Sequence, residues 1–505
     1  MSTHPDQIVL ADLYEYPSVP YGQTHPDRLA TLAKLAGMSP APVDNCRLLE
    51  VGCGEGANVI SMAYTLPKST FVGMDLGKLP IEKANALING LGLKNVQCSS
   101  QNLLEFDPGD QKFDYVIAHG FYSWVPQIVR DKLMQVISKV LAPNGVAYIS
   151  YNVYPGSYSG KRLRDFSLMH LEARRAANPG QFETPAEQID ETRNFLQLLK
   201  DNPPSEPAPA RADLFHEAGL VLDRPLALVY HDVLSDHWDP FTLQQFVAHA
   251  SEYGMQFMDE AMPAEPDLPK VPEAIMKYIR AFCAGDRILE QQYIDYMVAR
   301  RFRRSLICRK EVALAGTDQT AAVEHMYAST KLAETKTDPD GSVTFSIPDL
   351  LTLTTPSAVV IGILRRLIAT HPRRVAVKDF KTDDEESNRN LYNLFARMYR
   401  GGSVELHTQP SKAGTPTGKP VASALARYQS GRQKALSNLT HQAIELKDEN
   451  AAWFLNLLDG TRDHEALLEE LIRKFPDRSR GEVAAQMYVR LEDLRKLALL
   501  EDTDA

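Results

Sequence analysis

From residue 47 to residue 151 short apolar runs alternate with stretches whose apolar residues recur at helical spacing, an alternation that predicts a parallel α/β sheet. Strands are expected over 48–51, 70–74, 95–99, 113–118 and 146–151, with helices over 57–66 and 79–91. Downstream, Leu243, Phe246, Val247 and Ala250 share one helical face behind Pro240-Phe241-Thr242 and are closed by Gly254, with a sixth strand over 255–258 and a seventh over 305–308. Between these elements the pattern predicts helical insertions at about 160–230 and 265–302. The first is broken at Asn178-Pro179-Gly180 and followed by the proline-rich stretch 203–209. The expected fold is α/β: a Rossmann-like seven-stranded sheet with helical insertions over 1–310, then two smaller winged-helix-like α/β modules.

The first module, 311–410, is read from a strand at Val343-Thr344-Phe345 and a helix capped by Thr355 with Pro356 at its first position. That helix carries a stripe of Val360, Ile363, Leu364 and Leu367. A helix over 388–399, the stop Gly401-Gly402 and a strand over 403–407 complete it. Residues 409–420, with three prolines and two glycines, read as a linker. In the second module, 411–505, Leu458-Asp459-Gly460-Thr461-Arg462-Asp463 turns into a helix bearing Leu467, Leu468, Leu471 and Ile472.

The chemistry is concentrated where the first strand ends. Gly52, Gly54 and Gly56, with Cys53 among them, give a loop that can take positive φ and let a ligand approach the backbone. In an open α/β sheet that loop lies under the ligand crevice. Asp75, followed by Leu76, ends the second strand about twenty residues later, where a carboxylate accepts from ribose hydroxyls. The spacing G-x-G-x-G with Glu50 just ahead differs from the nicotinamide fingerprint, and no phosphate-cradling G-x-x-x-x-G-K-[ST] segment is present. The form is that of Rossmann-like methyltransferases, so S-adenosyl-L-methionine is the expected cofactor. In that class Gln101-Asn102 falls where an acid or amide meets the adenine amino group, and His119-Gly120 at the end of the fourth strand falls at the catalytic edge.

Methyl transfer from a sulfonium is an in-line displacement for which the protein mainly supplies orientation. A lysine acceptor, whose free pKa is roughly 10.4, must be neutral to attack, which calls for a partly desolvated, aromatic channel. Tyr122, Trp124, Tyr151 and Tyr154 are the candidates for that channel, and His119, Tyr122 and Asn152 for catalytic roles. Tyr14, Tyr16 and Tyr21 precede the core and are read either as a cap over the cofactor or as surface packing. His231 and Asp232 are neighbours, and in an extended segment their side chains would face opposite ways, which speaks against a dyad.

At 505 residues the chain should hold about two to four domains. Its net charge of −10 argues against a chain-wide affinity for nucleic acid. The basic cluster Arg300, Arg301, Arg303, Arg304, Arg309 and Lys310 reads as a solvated helix-to-strand face. Five cysteines without a C-x-x-C pair indicate neither a zinc site nor a disulfide framework, and point to a reducing cytoplasm. The N-terminal residues carry no signal pattern and no apolar run reaches about 18 residues, so a soluble chain without membrane insertion is expected.

Taken together the chain resembles bacterial class I methyltransferases with a methyltransferase regulatory domain, typified by the rickettsial outer-membrane-protein lysine methyltransferases. The resemblance rests on Thr24-His25-Pro26-Asp27-Arg28-Leu29-Ala30, the glycine loop with Asn58, and His119-Gly120-Phe121-Tyr122-Ser123-Trp124-Val125-Pro126. It rests also on Tyr151-Asn152 with Pro155-Gly156, His231-Asp232, and Leu458 to Arg462. It implies a cofactor pocket that includes Asn58, an acceptor mouth at the ends of strands four and five, a protein substrate methylated on lysine, and a homodimer. One departure lies at the mouth: where the family places an aromatic directly after Pro-Gly, this chain has Ser157, with Tyr158 one residue later. Two other functions remain consistent with the residues, a methyltransferase for a small or peptidic metabolite and a cofactor-binding regulator without turnover. The absence of an Asn/Asp-Pro-Pro-Tyr string after the fourth strand argues against an amino-base DNA methyltransferase.

Overall fold

Continuous apolar runs such as Leu48-Leu49 and Val116-Ile117 can be buried on both faces only inside a covered sheet, and these residues are fully buried in one. The structure, a computed structural model, describes residues 18–203, 209–265, 271–315, 320–415, 418–446 and 448–502. Tyr14 and Tyr16 lie outside the described residues. The chain opens with α1 (Pro26–Leu35), whose first turn is capped by the His25 ring accepting the Asp27 N–H. Then follow β1 (Arg47–Val51), α2 (Ala57–Thr65), β2 (Thr70–Asp75), α3 (Lys78–Leu91), β3 (Val96–Ser100), β4 (Phe113–Ala118), α4 (Gln127–Val140) and β5 (Leu141–Asn152).

An insertion of α5 (Tyr158–Ala177), α6 (Pro185–Asp201), α7 (Pro209–Leu222) and α8 (Leu226–Val229) has its own core around Leu163, Leu171, Ile189 and Leu196. After α9 (Leu243–Glu252) and β6 (Met255–Glu260) a second insertion, α10 (Glu273–Cys283) and α11 (Arg287–Val298), leads into β7 (Phe302–Arg309). The sheet order is β3-β2-β1-β4-β5-β7-β6. The first five strands are parallel, and β7 runs antiparallel to both β5 and β6. Alternation along the strands sends Leu48, Tyr115, Ile117 and Tyr148 to the core shared with α1, α2 and α3, and Leu49, Val51, Val116 and Ala118 to the core shared with α4 and α9. The strand order reverses between β1 and β4, which places the ligand crevice over the glycine loop.

Two sequence expectations fail in this domain. His231 and Asp232 lie in a wide helical turn, Tyr230–Leu234, not in an extended segment, and Asp232 pairs with Arg224 at 2.7 Å. The basic cluster is a solvated face only in part: Arg301 and Lys310 are exposed, but Arg300 and Arg303 are buried. Arg303 is 0% exposed and meets Asp295 and Glu260 at 2.8 and 2.6 Å, while Arg300 joins the same network through Asp295 at 2.7 Å. Burial opposes the charge on Arg303, but Glu260 and Asp295 hold its pKa above the ordinary arginine value. The cluster packs the second insertion onto β6 and β7.

Beyond the sheet come β8 (Tyr327–Ser329), β9 (Ala333–Thr337), β10 (Val343–Ile347), β11 (Leu351–Thr355), α12 (Ala358–Thr370), β12 (Val375–Ala376), α13 (Glu385–Arg400) and β13 (Glu405–His407). They form two three-stranded sheets, β11-β10-β9 and β12-β8-β13, with two helices. The cap of α12 is Ser357, which accepts from the Val360 N–H; Thr355, the expected cap, ends β11 instead. The tail holds α14 (Ala424–Gln429), the hairpin β14 (Ala435–Ser437) and β15 (Ala443–Glu445), α15 (Glu449–Leu457), α16 (His464–Lys474) and α17 (Arg480–Lys496). Asp459 accepts from the Thr461 N–H and pairs with Arg462, forming the turn into α16.

The sheet domain and the module that follows it are joined by the string that opens α1. Asp27 is buried, accepts from the Thr408 N–H at 2.7 Å and pairs with Arg374 at 3.1 Å and with His407. Burial alone would raise its pKa, but Arg374 and His407 outweigh it and hold the carboxylate ionised. Arg28 pairs with Glu405. Residues 24–30 therefore act in domain docking.

Candidate cofactor and acceptor site

The glycine loop adopts the geometry its sequence implies. Gly52, Gly54 and Gly56 have φ of +75, +53 and +74°. A Cβ at Gly52 would stand 2.9 Å from the Phe121 ring, so that glycine is required by space as well as by conformation. Asp75 holds the loop down directly: its Oδ2 accepts the Gly54 N–H at 2.8 Å and its Oδ1 the Gly77 N–H at 2.9 Å. A carboxylate has about four lone-pair sites, which leaves two for the hydroxyls of a ribose. The backbone N–H of Gln101 donates to Asp75 O at 2.7 Å, tying β3 to this floor. Leu76 is exposed beside it. The Asn102 side chain caps the following turn through the Leu104 N–H at 3.0 Å, so its carbonyl is engaged locally.

Glu50 is the least expected feature. It is buried, its Oε1 accepts from Asn58 Nδ2 at 2.7 Å, and its Oε2 is buried without a partner. Burial pushes its pKa up to about 8. An orphaned carboxylate oxygen beside a glycine cradle fits a cationic or N–H-bearing group of a ligand. The α-ammonium of S-adenosylmethionine has that chemistry. Cys53 is buried next to Cys98, and that contact, followed by burial, holds its thiol protonated; it serves as loop packing.

At the end of β4 the structure redistributes the expected roles. His119 is half-buried among Tyr21, whose ring is 4.1 Å away, the Tyr148 hydroxyl at 2.9 Å and Ser150 Oγ at 3.1 Å. Burial, with Arg304 nearby, lowers its pKa to about 3. A ring held neutral at that level is a poor proton acceptor near neutrality, so it supports the wall. The Gly120 N–H donates to Ser150 Oγ at 2.8 Å, inside the fold. Tyr122 and Tyr151 are 2% and 1% exposed core residues. The Tyr122 hydroxyl bonds His249 Nδ1 at 2.7 Å, and that of Tyr151 bonds Ser305 at 3.0 Å. Neither lines an open channel, which corrects that expectation: alternation along β5 points Tyr151 into the core with Val153, and the short helical turn after Phe121 points Tyr122 inward.

The accessible aromatics lie one layer further out. Asn152 Oδ1 accepts the indole N–H of Trp238 at 3.1 Å, and Trp124 and Trp238 stand 6.1 Å apart. Tyr154 stacks on Tyr158 at 4.6 Å. Ser157, where the family pattern has an aromatic, is buried at the start of α5, and the ring it displaces is supplied by Tyr158. Ser150 and Trp238 were not singled out from the sequence and Phe121 only as part of a string, whereas Tyr21, expected over the cofactor, packs on His119. Trp238 lies 86 positions from the asparagine it bonds, and no local pattern announces that pairing. A cavity of about 960 Å³ lies elsewhere, between the three parts of the chain, lined by residues such as His25, Asp27, Arg374, Glu405 and Asn438, and touches no residue of the glycine loop.

Three family profiles match the chain: "Methyltransferase domain" over residues 42–202, "Predicted methyltransferase regulatory domain" over 226–309, and "PKMT, C-terminal winged helix domain" over 418–487. Among similar sequences, the uncharacterized protein RP789 of Rickettsia prowazekii is 27% identical over 481 residues, covering 91% of this chain and 85% of its own. A second uncharacterized protein of the same organism, RP028, is 33% identical over 241 residues, 48% of this chain and 93% of its own. The solved structure of PKMT2 from Rickettsia typhi in complex with AdoHcy shares the fold with a TM-score of 0.83 at 24% identity, over 96% of this chain and 99% of that one. Among the described residues no helix is long and apolar enough to cross a membrane.

Proposed function

This chain belongs to the class I S-adenosylmethionine-dependent methyltransferases that carry a methyltransferase regulatory domain, and from that premise we propose that it N-methylates lysine side chains of a protein. The observation that carries the reading is Phe121, whose ring stands against Gly52 while its carbonyl accepts the Trp124 N–H at 2.9 Å. Gly52 to Gly56, Asp75 and the orphaned Glu50 Oε2 would form a donor cradle on one side of it, and Asn152, Trp124, Trp238 and Tyr154 an aromatic mouth on the other. The AdoHcy held by the Rickettsia typhi PKMT2 neighbour and the match to the profile "PKMT, C-terminal winged helix domain" support it.

Bound S-adenosylmethionine supplies a sulfonium-activated methyl group for in-line transfer. Asp75 would accept from the ribose hydroxyls, Glu50 from the α-ammonium, and the glycine loop would let the ligand lie close to the backbone. The rings of Trp124, Trp238 and Tyr154 would desolvate a lysine stem and lower its pKa, so that the neutral amine is reached without a dedicated base. His119 would hold the wall between the two halves. Leu76, Gln101 and Asn102 would border the adenine.

The pH dependence of donor affinity follows from Glu50. With a pKa of about 8 in the ligand-free chain, the ionised form needed for an ammonium is scarce below that pH. Affinity for S-adenosylhomocysteine should rise by about tenfold per pH unit toward pH 8 and level off above it. Because the folded state holds this proton and the unfolded state releases it in the ordinary carboxyl range, stability of the ligand-free chain should fall over the same interval. Titration calorimetry from pH 6 to 9 checks the slope, and Glu50→Gln should flatten it.

The homodimer implied by the resemblance has a candidate surface in Tyr278, Phe282, Tyr296 and Met297, exposed together on α10 and α11. Five buried free cysteines fit a reducing cytoplasm. A small or peptidic metabolite is the second acceptor class, favoured by the buried Ser157 at the mouth. Incubating the full chain with donor and a proteome extract, followed by digestion and mass spectrometry, separates the two: ε-N-methyl-lysine is expected, and a methylated metabolite with unmodified protein supports the second.

A further inference from the structure

We infer that His441, at the tip of the tail hairpin, is a positioning residue of the donor site, so that donor affinity depends on the docked tail. The inference rests on the donor reading above. Between β14 and β15 the chain turns through 438–442, and Asn438 Oδ1 clamps the turn by accepting the N–H groups of Thr440 and Gln442 at 3.0 and 2.8 Å. His441, with φ +58°, is thereby presented to the catalytic domain and is 2% exposed there.

Its ring makes two hydrogen bonds that fix its proton. Nε2 lies 2.9 Å from Asn58 Oδ1, and Nδ1 lies 3.1 Å from Ser61 Oγ. Burial holds the ring neutral, its pKa well below the usual histidine value, so one nitrogen donates and the other accepts. Asn58 decides which. Its Oδ1 also accepts the Tyr21 backbone N–H at 2.9 Å, an unambiguous donor, and its Nδ2 donates to Glu50 Oε1 at 2.7 Å. The amide orientation is therefore set, Nε2 carries the proton, and Ser61 donates to Nδ1.

A continuous line results: tail hairpin, His441, Asn58, Glu50, and the free Glu50 Oε2 at the cradle. Two full donors, the Tyr21 N–H and His441 Nε2–H, converge on Asn58 Oδ1, while Thr24 Oγ1 at 3.1 Å gives its single proton mainly to Tyr21 O at 2.8 Å, and either donor lost lets the amide turn and release Glu50. The same Asn58 atoms thus serve the N-terminal segment, the tail and the donor site, and tail docking and donor binding favour each other reciprocally.

Two substitutions separate this role from packing. A glutamine at 441 can place its amide N–H near the Nε2 position and keep the bond to Asn58, whereas an asparagine reaches only the Nδ1 position and Ser61. Asparagine tolerates positive φ better than glutamine, so a residue needed only for the turn would be replaced better by asparagine. Titration calorimetry of the full chain with S-adenosylhomocysteine, beside thermal unfolding, reads the difference. His441→Asn should weaken binding by about fivefold to tenfold, with the unfolding midpoint within a few degrees of the parent. His441→Gln should stay within about twofold. Equal affinity in parent and His441→Asn, or His441→Gln weaker than His441→Asn, overturns the inference and leaves the donor reading standing. A parent chain that binds no S-adenosylhomocysteine overturns both.

Discussion

Replacing Asp75 with alanine should lower methyl transfer by at least about 100-fold while leaving the circular dichroism of the chain unchanged. The carboxylate makes two charge-assisted bonds to the loop, from the N–H groups of Gly54 and Gly77, at 2.8 and 2.9 Å. Each is worth about 1.5–3 kcal/mol. The alanine removes these and the acceptors for the ribose together, so the loop loses its anchor at the point where the ligand would lie. Asp75→Asn keeps one acceptor oxygen and should fall between. Transfer rates at saturating acceptor, with S-adenosylhomocysteine affinity measured alongside, check this; a variant within threefold of the parent would remove Asp75 from the site.

The largest stability effect should come from a residue remote from the chemistry. Arg303→Ala leaves Asp295, itself 0% exposed, and Glu260 without their shared cation. Removing one member of a buried ion network costs about 3–5 kcal/mol, whereas replacing the members together with apolar groups of similar volume is often neutral. The expected result is a lower unfolding midpoint for the catalytic domain, followed by the fluorescence of Trp124 and Trp238. A variant that combines Arg303→Met with Asp295→Leu and Glu260→Gln should recover part of the loss, since Arg300 loses Asp295 but keeps its pair with Glu265. Unaltered unfolding in Arg303→Ala would show that the network is solvated after all.

That network also shows where sequence reading stops. Arginines at 300 and 303 read as a solvated face because a run of cations is usually one; what buries them is α11, which brings Asp295 against β7, and a residue eight positions away gives no signal that it will be a partner in a core. The strands, by contrast, were legible, since two-sided burial demands unbroken apolar runs and the glycines punctuate them. The same holds for Gly52 to Gly56 and Asp75, whose roles are set by backbone geometry close in sequence.

The acceptor side was less legible because it is assembled from loops. Tyr122 and Tyr151 have the right chemistry for a channel, but the pleat of β5 and the turn after Phe121 send both inward, and Trp238 takes the place at Asn152 from another part of the chain. His119 likewise stands at the right strand end, yet Tyr21, Tyr148 and Ser150 enclose it. Thr24 to Ala30 was recognised as a string without its purpose; the structure gives one, since Thr24, Asp27 and Arg28 reach Asn58, His407 and Glu405 in turn.

The central claim is that this chain moves a methyl group from S-adenosylmethionine to protein lysine. The most direct test is transfer of tritium from methyl-labelled donor into a cell lysate by the full chain, resolved by size and then by amino-acid analysis. Label is expected in the protein fraction as ε-N-methyl-lysine, abolished by Asp75→Ala. Label confined to small molecules, or to residues other than lysine, would contradict it.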